Sequence, residues 1–151
     1  MNILVSACLM GVRCRYNGEG EWDGQVRLLM GEHHLIPVCP EIMGGLATPR
    51  DPAEIIGGRV MTCSGKDVTD EYKKGAEEIL ALARSFGCTH AILKKRSPSC
   101  GRGRIYDGTF TGTLTDGDGI AAGLLELHGI HVCGEGEFIE EKRGKDNARS
   151  D

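Results

Sequence analysis

The sequence contains no apolar run of the ~18 residues that cross a bilayer as a helix. Its longest candidate, Ile3 to Val12, is broken by Ser6 and Gly11. Only Met1 and Asn2 precede that run. Although Val5-Ser6-Ala7-Cys8 has the form of a lipoprotein cleavage site, the cationic segment of a secretion signal is missing, so none is expected. There is no Cys-x-x-Cys, which leaves a thioredoxin-like motif and a compact zinc ribbon without support. Glycine does not recur at every third position, which excludes collagen. Positive charge is not in excess: 18 Lys and Arg against 22 Asp and Glu leave a net charge of −4, which argues against a dedicated nucleic-acid binder. Aromatic residues are scarce, with one Trp, three Tyr and three Phe.

Two residue types are over-supplied. Glycine accounts for 23 of 151 residues, about twice its usual ~7% share. There are also seven cysteines, an odd number. A small secreted disulfide scaffold would carry a higher density. A reducing, cytoplasmic setting is therefore expected, with the thiols serving burial, metal binding or catalysis.

Periodicity predicts an α/β fold: a single domain with a mainly parallel sheet flanked by helices and long glycine-rich loops at the strand carboxyl ends. Strands are expected over 2–7, 35–38, 90–94 and 130–132. A short helix is expected over 22–30, with Val26, Leu29 and Met30 on one face. The clearest helix has Thr69 as its N-cap, an apolar stripe from Tyr72 to Phe86, and Gly87 as its stop. A second is expected to be capped by Asp118 and to bury Ile120, Leu124, Leu125 and Leu127. Residues 41–58 read as one long loop and 59–67 as a hairpin turning at Ser64-Gly65. The domain is expected to span 1–135, with 136–151 a charged, frayed tail.

Cysteine placement says more than cysteine number. Cys8, Cys39 and Cys133 each follow a predicted strand, and Cys100 lies a short loop beyond another. Ligands of open parallel sheets bind outside the strand carboxyl ends, so thiols far apart in sequence can meet on one edge. Thiolates suit zinc or iron–sulfur clusters. Against this stands plain packing, because cysteine is among the most buried residue types. Cys63 and Cys88 stand in no candidate motif and read as packing residues, and Cys133 as structural. Cys39-Pro40-Glu41 puts a carboxylate beside a thiol. Arg96-Ser97-Pro98-Ser99-Cys100-Gly101 brings hydroxyls, a cation and a glycine together, and Ser6-Ala7-Cys8 leads into Arg13, Cys14 and Arg15. Arg13, Arg15, Arg50, Lys94, Lys95 and Arg96 are candidates to offset thiolate charge. Gly117-Asp118-Gly119 at a helix start is a weak phosphate-site candidate, since Asp116 and Asp118 would repel the ligand.

These same segments resemble a bacterial family long catalogued as a domain of unknown function, which includes the thiouracil desulfidases. The resemblance runs through Ser-Ala-Cys-Leu-Met-Gly-Val-Arg-Cys-Arg-Tyr-Asn-Gly (6–18), Pro-Val-Cys-Pro-Glu-Ile-Met-Gly-Gly-Leu (37–46) and Thr-Pro-Arg (48–50). It continues in Leu-Lys-Lys-Arg-Ser-Pro-Ser-Cys-Gly (93–101), Ile-Tyr-Asp-Gly-Thr-Phe-Thr-Gly (105–112) and Gly-Ile-His-Val-Cys-Gly-Glu (129–135). It departs at Asn17, where Asp is commoner, and at Ile120-Ala121-Ala122-Gly123. The resemblance implies a [4Fe–4S] cluster held by three cysteines, Cys8, Cys39 and Cys100, with one open iron and Cys14 in reserve. It implies Glu41 and Ser99 as catalytic residues and a thiolated pyrimidine base as substrate, with no membrane or nucleic-acid partner. The implied chemistry is hydrolysis of C=S with release of sulfide and no net electron transfer. The rival expectation is a non-catalytic iron–sulfur or zinc-binding carrier or sensor.

Overall fold

The computed structural model describes residues 1–138. Strand β1 (Asn2–Ser6) runs into a one-turn 3₁₀ helix (Ala7–Met10). Then come α1 (Gly24–Leu29), β2 (His34–Val38), α2 (Pro40–Met43), β3 (Ala53–Ile56), β4 (Arg59–Thr62) and α3 (Thr69–Ser85). The chain continues through β5 (His90–Leu93), β6 (Arg104–Tyr106), β7 (Leu114–Asp116), α4 (Ile120–Leu127) and β8 (His131–Gly134). The four predicted strands form one sheet in the order β2-β1-β5-β8. Every pairing in it is parallel.

Both faces of this sheet are covered, which is why Ile3, Leu4 and Val5 of β1 form a continuous apolar run rather than alternating with polar residues. Ile3, Val5, Ile92 and Cys133 pack on one side with Val26 and Leu29 of α1 and with Phe138. Leu4, Ala91, Leu93 and Val132 pack on the other with Ile79 and Ala83 of α3 and Ala122 and Leu125 of α4. Chain order steps from β1 to β2 on one side, and the next sheet strand, β5, lies on the other. A crevice is expected at the carboxyl ends of strands flanking such a reversal.

Several local expectations are corrected. Residues 41–58 are not one loop. Pro40 occupies the first turn of α2, where its missing N–H costs nothing. Gly57 and Gly58 both have positive φ (56° and 79°) and turn β3 into β4, as two-residue hairpin loops require. The hairpin partner of β4 is therefore upstream, and Asp67 adds only a single bridge to Met61. Thr69 is not a capping side chain. Its hydroxyl accepts from Val60 N and donates to Asp67, which also accepts Thr69 N–H. Asp118 likewise caps nothing, but accepts from Gly103 N and Arg102. Asp23 does cap α1, accepting from Gln25 N and Val26 N at 3.0 Å, so that helix starts after Trp22. Met30, Phe86 and Leu127, expected on apolar faces, are exposed. Glu135 accepts from Lys95 N, and Phe138, in the segment expected to be tail, is buried. The rest of the expected tail, 139–151, lies outside the described residues.

One glycine fixes how α2 meets α3. A Cβ on Gly75 would stand 1.8 Å from the Pro40 carbonyl oxygen. Alanine would gain up to ~1 kcal/mol of helix propensity, but a backbone carbonyl cannot rotate aside as a side chain can. Overpacking of this kind costs ~1–3 kcal/mol and would displace α2, which carries Glu41. Gly75→Ala should therefore lower both the melting temperature and the catalytic rate. An unchanged melting curve and rate would show that α2 has slack.

Candidate active site

Five cysteines, Cys8, Cys14, Cys39, Cys63 and Cys100, line one cavity of about 790 Å³ at the carboxyl edge of the sheet. That volume lies within the ~300–1,000 Å³ of small-molecule and cofactor sites. Cys8 comes from the 3₁₀ turn after β1, and Cys39 is the residue between β2 and α2. Cys100 sits on the segment between β5 and β6, against the start of α4. The opening turn of α4 shapes that segment. Ile120 N donates to Pro98 O at 2.8 Å, and Ala121 N and Ala122 N donate to Ser99 O at 2.9 and 3.1 Å. The orphan N–H groups of a helix start thus hold the Ser-Pro-Ser-Cys loop in place.

Cys100 is buried, and burial pushes its thiol up to about 11 despite hydrogen bonds from Ser6 and Ser99. Those hydroxyls lie 3.5 and 3.4 Å from its sulfur. Ser6 in turn accepts Lys94 N–H at 2.8 Å, tying the ends of β1 and β5 together under the cavity. Cys39 Sγ lies 3.9 Å from the Cys14 carbonyl oxygen. Its thiol is driven far above the ordinary value by its contact with Cys14 and by burial. The Cys14 thiol is raised too: the hydrogen bond from Cys39 favours its thiolate, but contact with Cys8 and burial outweigh it. Anions here need compensation, which a bound metal centre supplies.

Glu41 lines the same cavity, and its carboxylate is fixed on both oxygens. Tyr72 OH donates to Oε1. Arg50 pairs with Oε2 at 3.3 Å, and Ser99 Oγ reaches Oε2 at 3.4 Å. Ser99 is fully buried. Its single proton can serve either Glu41 or the Cys100 sulfur. Arg50 also donates to the Cys14 carbonyl at 2.9 Å, which links the carboxylate to the first cysteine loop. Its buried Nε has no partner among the described residues. Tyr72 was missed as a site residue because its spacing places it on the apolar stripe of α3. The available signal was its hydroxyl, which needs a partner when buried. That hydroxyl is held well above its usual range by burial and by the neighbouring Glu41 charge.

Among the six basic candidates, Arg15, Lys94, Lys95 and Arg96 line the cavity. Arg50 stands behind Glu41, and Arg13 is exposed away from the cavity wall. Lys94 bridges Glu21 at 3.0 Å and Glu135 at 3.4 Å. Cys88 is buried in the core as expected, and Cys133 is buried with its thiol on Ala91 O. Cys63, expected to be inert packing, is instead exposed and lines the cavity, just past the end of β4.

The donor set fits an iron–sulfur cluster. Cysteine thiolates are the ordinary ligands of such clusters, and here they come from separate loops around a volume. Among the described residues, no three His, Cys, Asp or Glu side chains close on a point as a single ion needs.

Residues 3–137 match the sequence model of the 2-thiouracil desulfurase family. The chain is 46% identical over 146 residues to the uncharacterized protein YbbK of Bacillus subtilis (strain 168), covering 90% of this chain and 97% of that protein. Its structure is similar to that of the [4Fe-4S]-dependent thiouracil desulfidase TudS, with a TM-score of 0.90 and 44% identity. That match covers 96% of this chain and 97% of the other. The cysteine-lined cavity lies within the matched span, and the chain belongs to the 2-thiouracil desulfurase family.

Proposed function

We propose that the chain is a desulfidase that removes sulfur from a thiolated pyrimidine base such as thiouracil, at a [4Fe–4S] cluster held by Cys8, Cys39 and Cys100 with one iron left free of protein. The observation that carries this reading is a single one: three soft thiols from separate loops and a fixed carboxylate share one cavity. Membership of the family, and the likeness to a protein named for [4Fe-4S]-dependent action on thiouracil, support the cofactor and the substrate class.

When bound, such a cluster supplies a Lewis acid with affinity for sulfur, which polarises C=S toward attack by water. The remaining work falls to the chain. Glu41 takes a proton from the attacking water and returns it to the departing sulfur or the ring. Tyr72 and Arg50 hold its carboxylate in one orientation. Ser99, buried between Glu41 and Cys100, uses its hydroxyl to hold the carboxylate on the side of the thiol ligand. Thiouracil and water become uracil and hydrogen sulfide, so electrons balance without a redox partner. Arg15, Lys94, Lys95 and Arg96 offset the negative charge of the thiolates. Cys14 stays a thiol beside the ligands.

The reading belongs to the reducing cytoplasm, where free thiols persist, and all seven cysteines are free. No helix among the described residues is long and apolar enough to cross a membrane.

The test is anaerobic purification followed by assay of iron, labile sulfide and zinc, with sulfide release measured on thiouracil. Four irons with matching sulfide and turnover are expected. A cluster without turnover on any thiolated base would point to a carrier or sensor, and stoichiometric zinc would overturn the cluster.

A further inference from the structure

Among the described residues only two that are not glycine adopt a left-handed backbone, Arg96 (φ 72°) and Phe110 (φ 57°). Both line the cavity. A bulky side chain at positive φ is rare, and such strain persists only where the surroundings enforce it, chiefly at functional sites. For Phe110 the enforcing contact is visible. It sits at the tip of the β6–β7 hairpin. Glu54, on β3 of the other hairpin, is buried, and its Oε1 accepts Gly108 N at 2.9 Å and Phe110 N at 3.1 Å. On the outer side, Asp107 N donates to Thr113 O at 2.9 Å, and the Thr109 hydroxyl bonds Asp107. A buried carboxylate on one hairpin thus clamps the tip of the other.

The scarce aromatics also cluster here. Tyr16, Tyr72, Tyr106 and Phe110 line the cavity, out of one Trp, three Tyr and three Phe in the chain. Tyr72 is committed to Glu41. Phe110 has no polar handle, so what its ring offers the cavity is a π-face. Every nucleobase also has a π-face, and stacking of base on aromatic is a general mode of base recognition.

We infer that Phe110 is the platform on which the pyrimidine ring of the substrate stacks, and that Glu54 is the positioning residue that holds it there. This deepens the proposed desulfidase reading and rests on its substrate class. Neither residue is near the thiol ligands in sequence, so their loss should leave the cluster in place.

The experiment compares the holoprotein with Phe110→Leu, Phe110→Tyr, Glu54→Ala and Glu54→Gln. Four readouts are needed: uracil affinity by calorimetry, kcat and KM for 2-thiouracil, iron content and labile sulfide. Phe110→Leu should weaken uracil binding and raise KM about tenfold, the scale of one lost base–aromatic stack. Its kcat should stay within about threefold, as for lost uniform binding. Phe110→Tyr should restore both. Glu54→Ala should reproduce the Phe110→Leu defect, and Glu54→Gln, which keeps an acceptor oxygen, should recover most of it. The inference is overturned if Phe110→Leu binds uracil as wild type does, if it loses iron, if tyrosine fails to rescue, or if the wild-type protein does not bind uracil. Wild-type protein that binds uracil but releases no sulfide from 2-thiouracil would overturn the reaction and leave the platform standing.

Discussion

Cys39→Ala is expected to give a folded protein whose iron and labile sulfide fall to background after anaerobic reconstitution, with sulfide release abolished. Cys39 is only partly buried and packs at the edge of its core cluster, so the fold should survive its truncation. The cofactor should not, because a three-ligand cluster has no redundancy once one thiolate is removed. Cys8→Ala and Cys100→Ala should behave alike in iron content. Cys88→Ala serves as the control: it removes a buried thiol from the α3 and α4 side of the sheet and should cost stability while keeping the iron. Cys14→Ala decides between the two cysteines of the first loop. Retention of four irons assigns Cys14 to the cavity wall, whereas loss of the cluster in Cys14→Ala but not in Cys8→Ala would exchange their roles. Iron content is the readout that separates these cases, since activity alone falls in all of them.

Glu41→Gln is the second large effect. It should retain the cluster and lose roughly 100- to 10,000-fold in kcat, the range ascribed to a positioned acid–base group. Glutamine keeps the shape and can still meet Tyr72 and Ser99, but it cannot take a proton from water. It also leaves Arg50 without its anionic partner, and breaking a buried pair by removing one partner is itself destabilising. The melting curve should therefore be measured beside the rate. Full activity in Glu41→Gln would falsify the acid–base role and leave the carboxylate as a structural anchor for Arg50. Loss of iron would move Glu41 from proton transfer to support of the thiol ligands.

The parts of the fold that were legible in the sequence are those where burial alone sets the pattern. The central strands β1 and β5 carry buried apolar runs because both faces of the sheet are covered there, and α3 carries a clear helical stripe from Tyr72 to Ala83. What was not legible is polar and local. Glu54 interrupts the apolar pattern of β3, so that strand read as loop; only the distant Gly108 and Phe110 N–H groups explain a carboxylate buried there. The caps assigned to Thr69 and Asp118 failed for the same reason. Their side chains found partners in β4 and in the loop before β6 instead of in their own helices.

At the site, the sequence by itself determined which cysteines had chemical company, through Cys39-Pro40-Glu41, the Ser-Pro-Ser-Cys-Gly segment and the paired Cys8 and Cys14, and it identified the family those motifs resemble. Only the tertiary structure decided what faces the cavity. Tyr72, hidden in a core stripe, turns its hydroxyl to Glu41. Arg50 pairs with the carboxylate rather than standing among the thiols, and Cys63 emerges at the cavity instead of packing. The physical reason is the range of the forces involved. Hydrophobic periodicity is a property of neighbouring residues and can be read along the chain. The partner of a buried polar group is set by where a parallel sheet and its two hairpins bring distant segments together, and no local pattern encodes that.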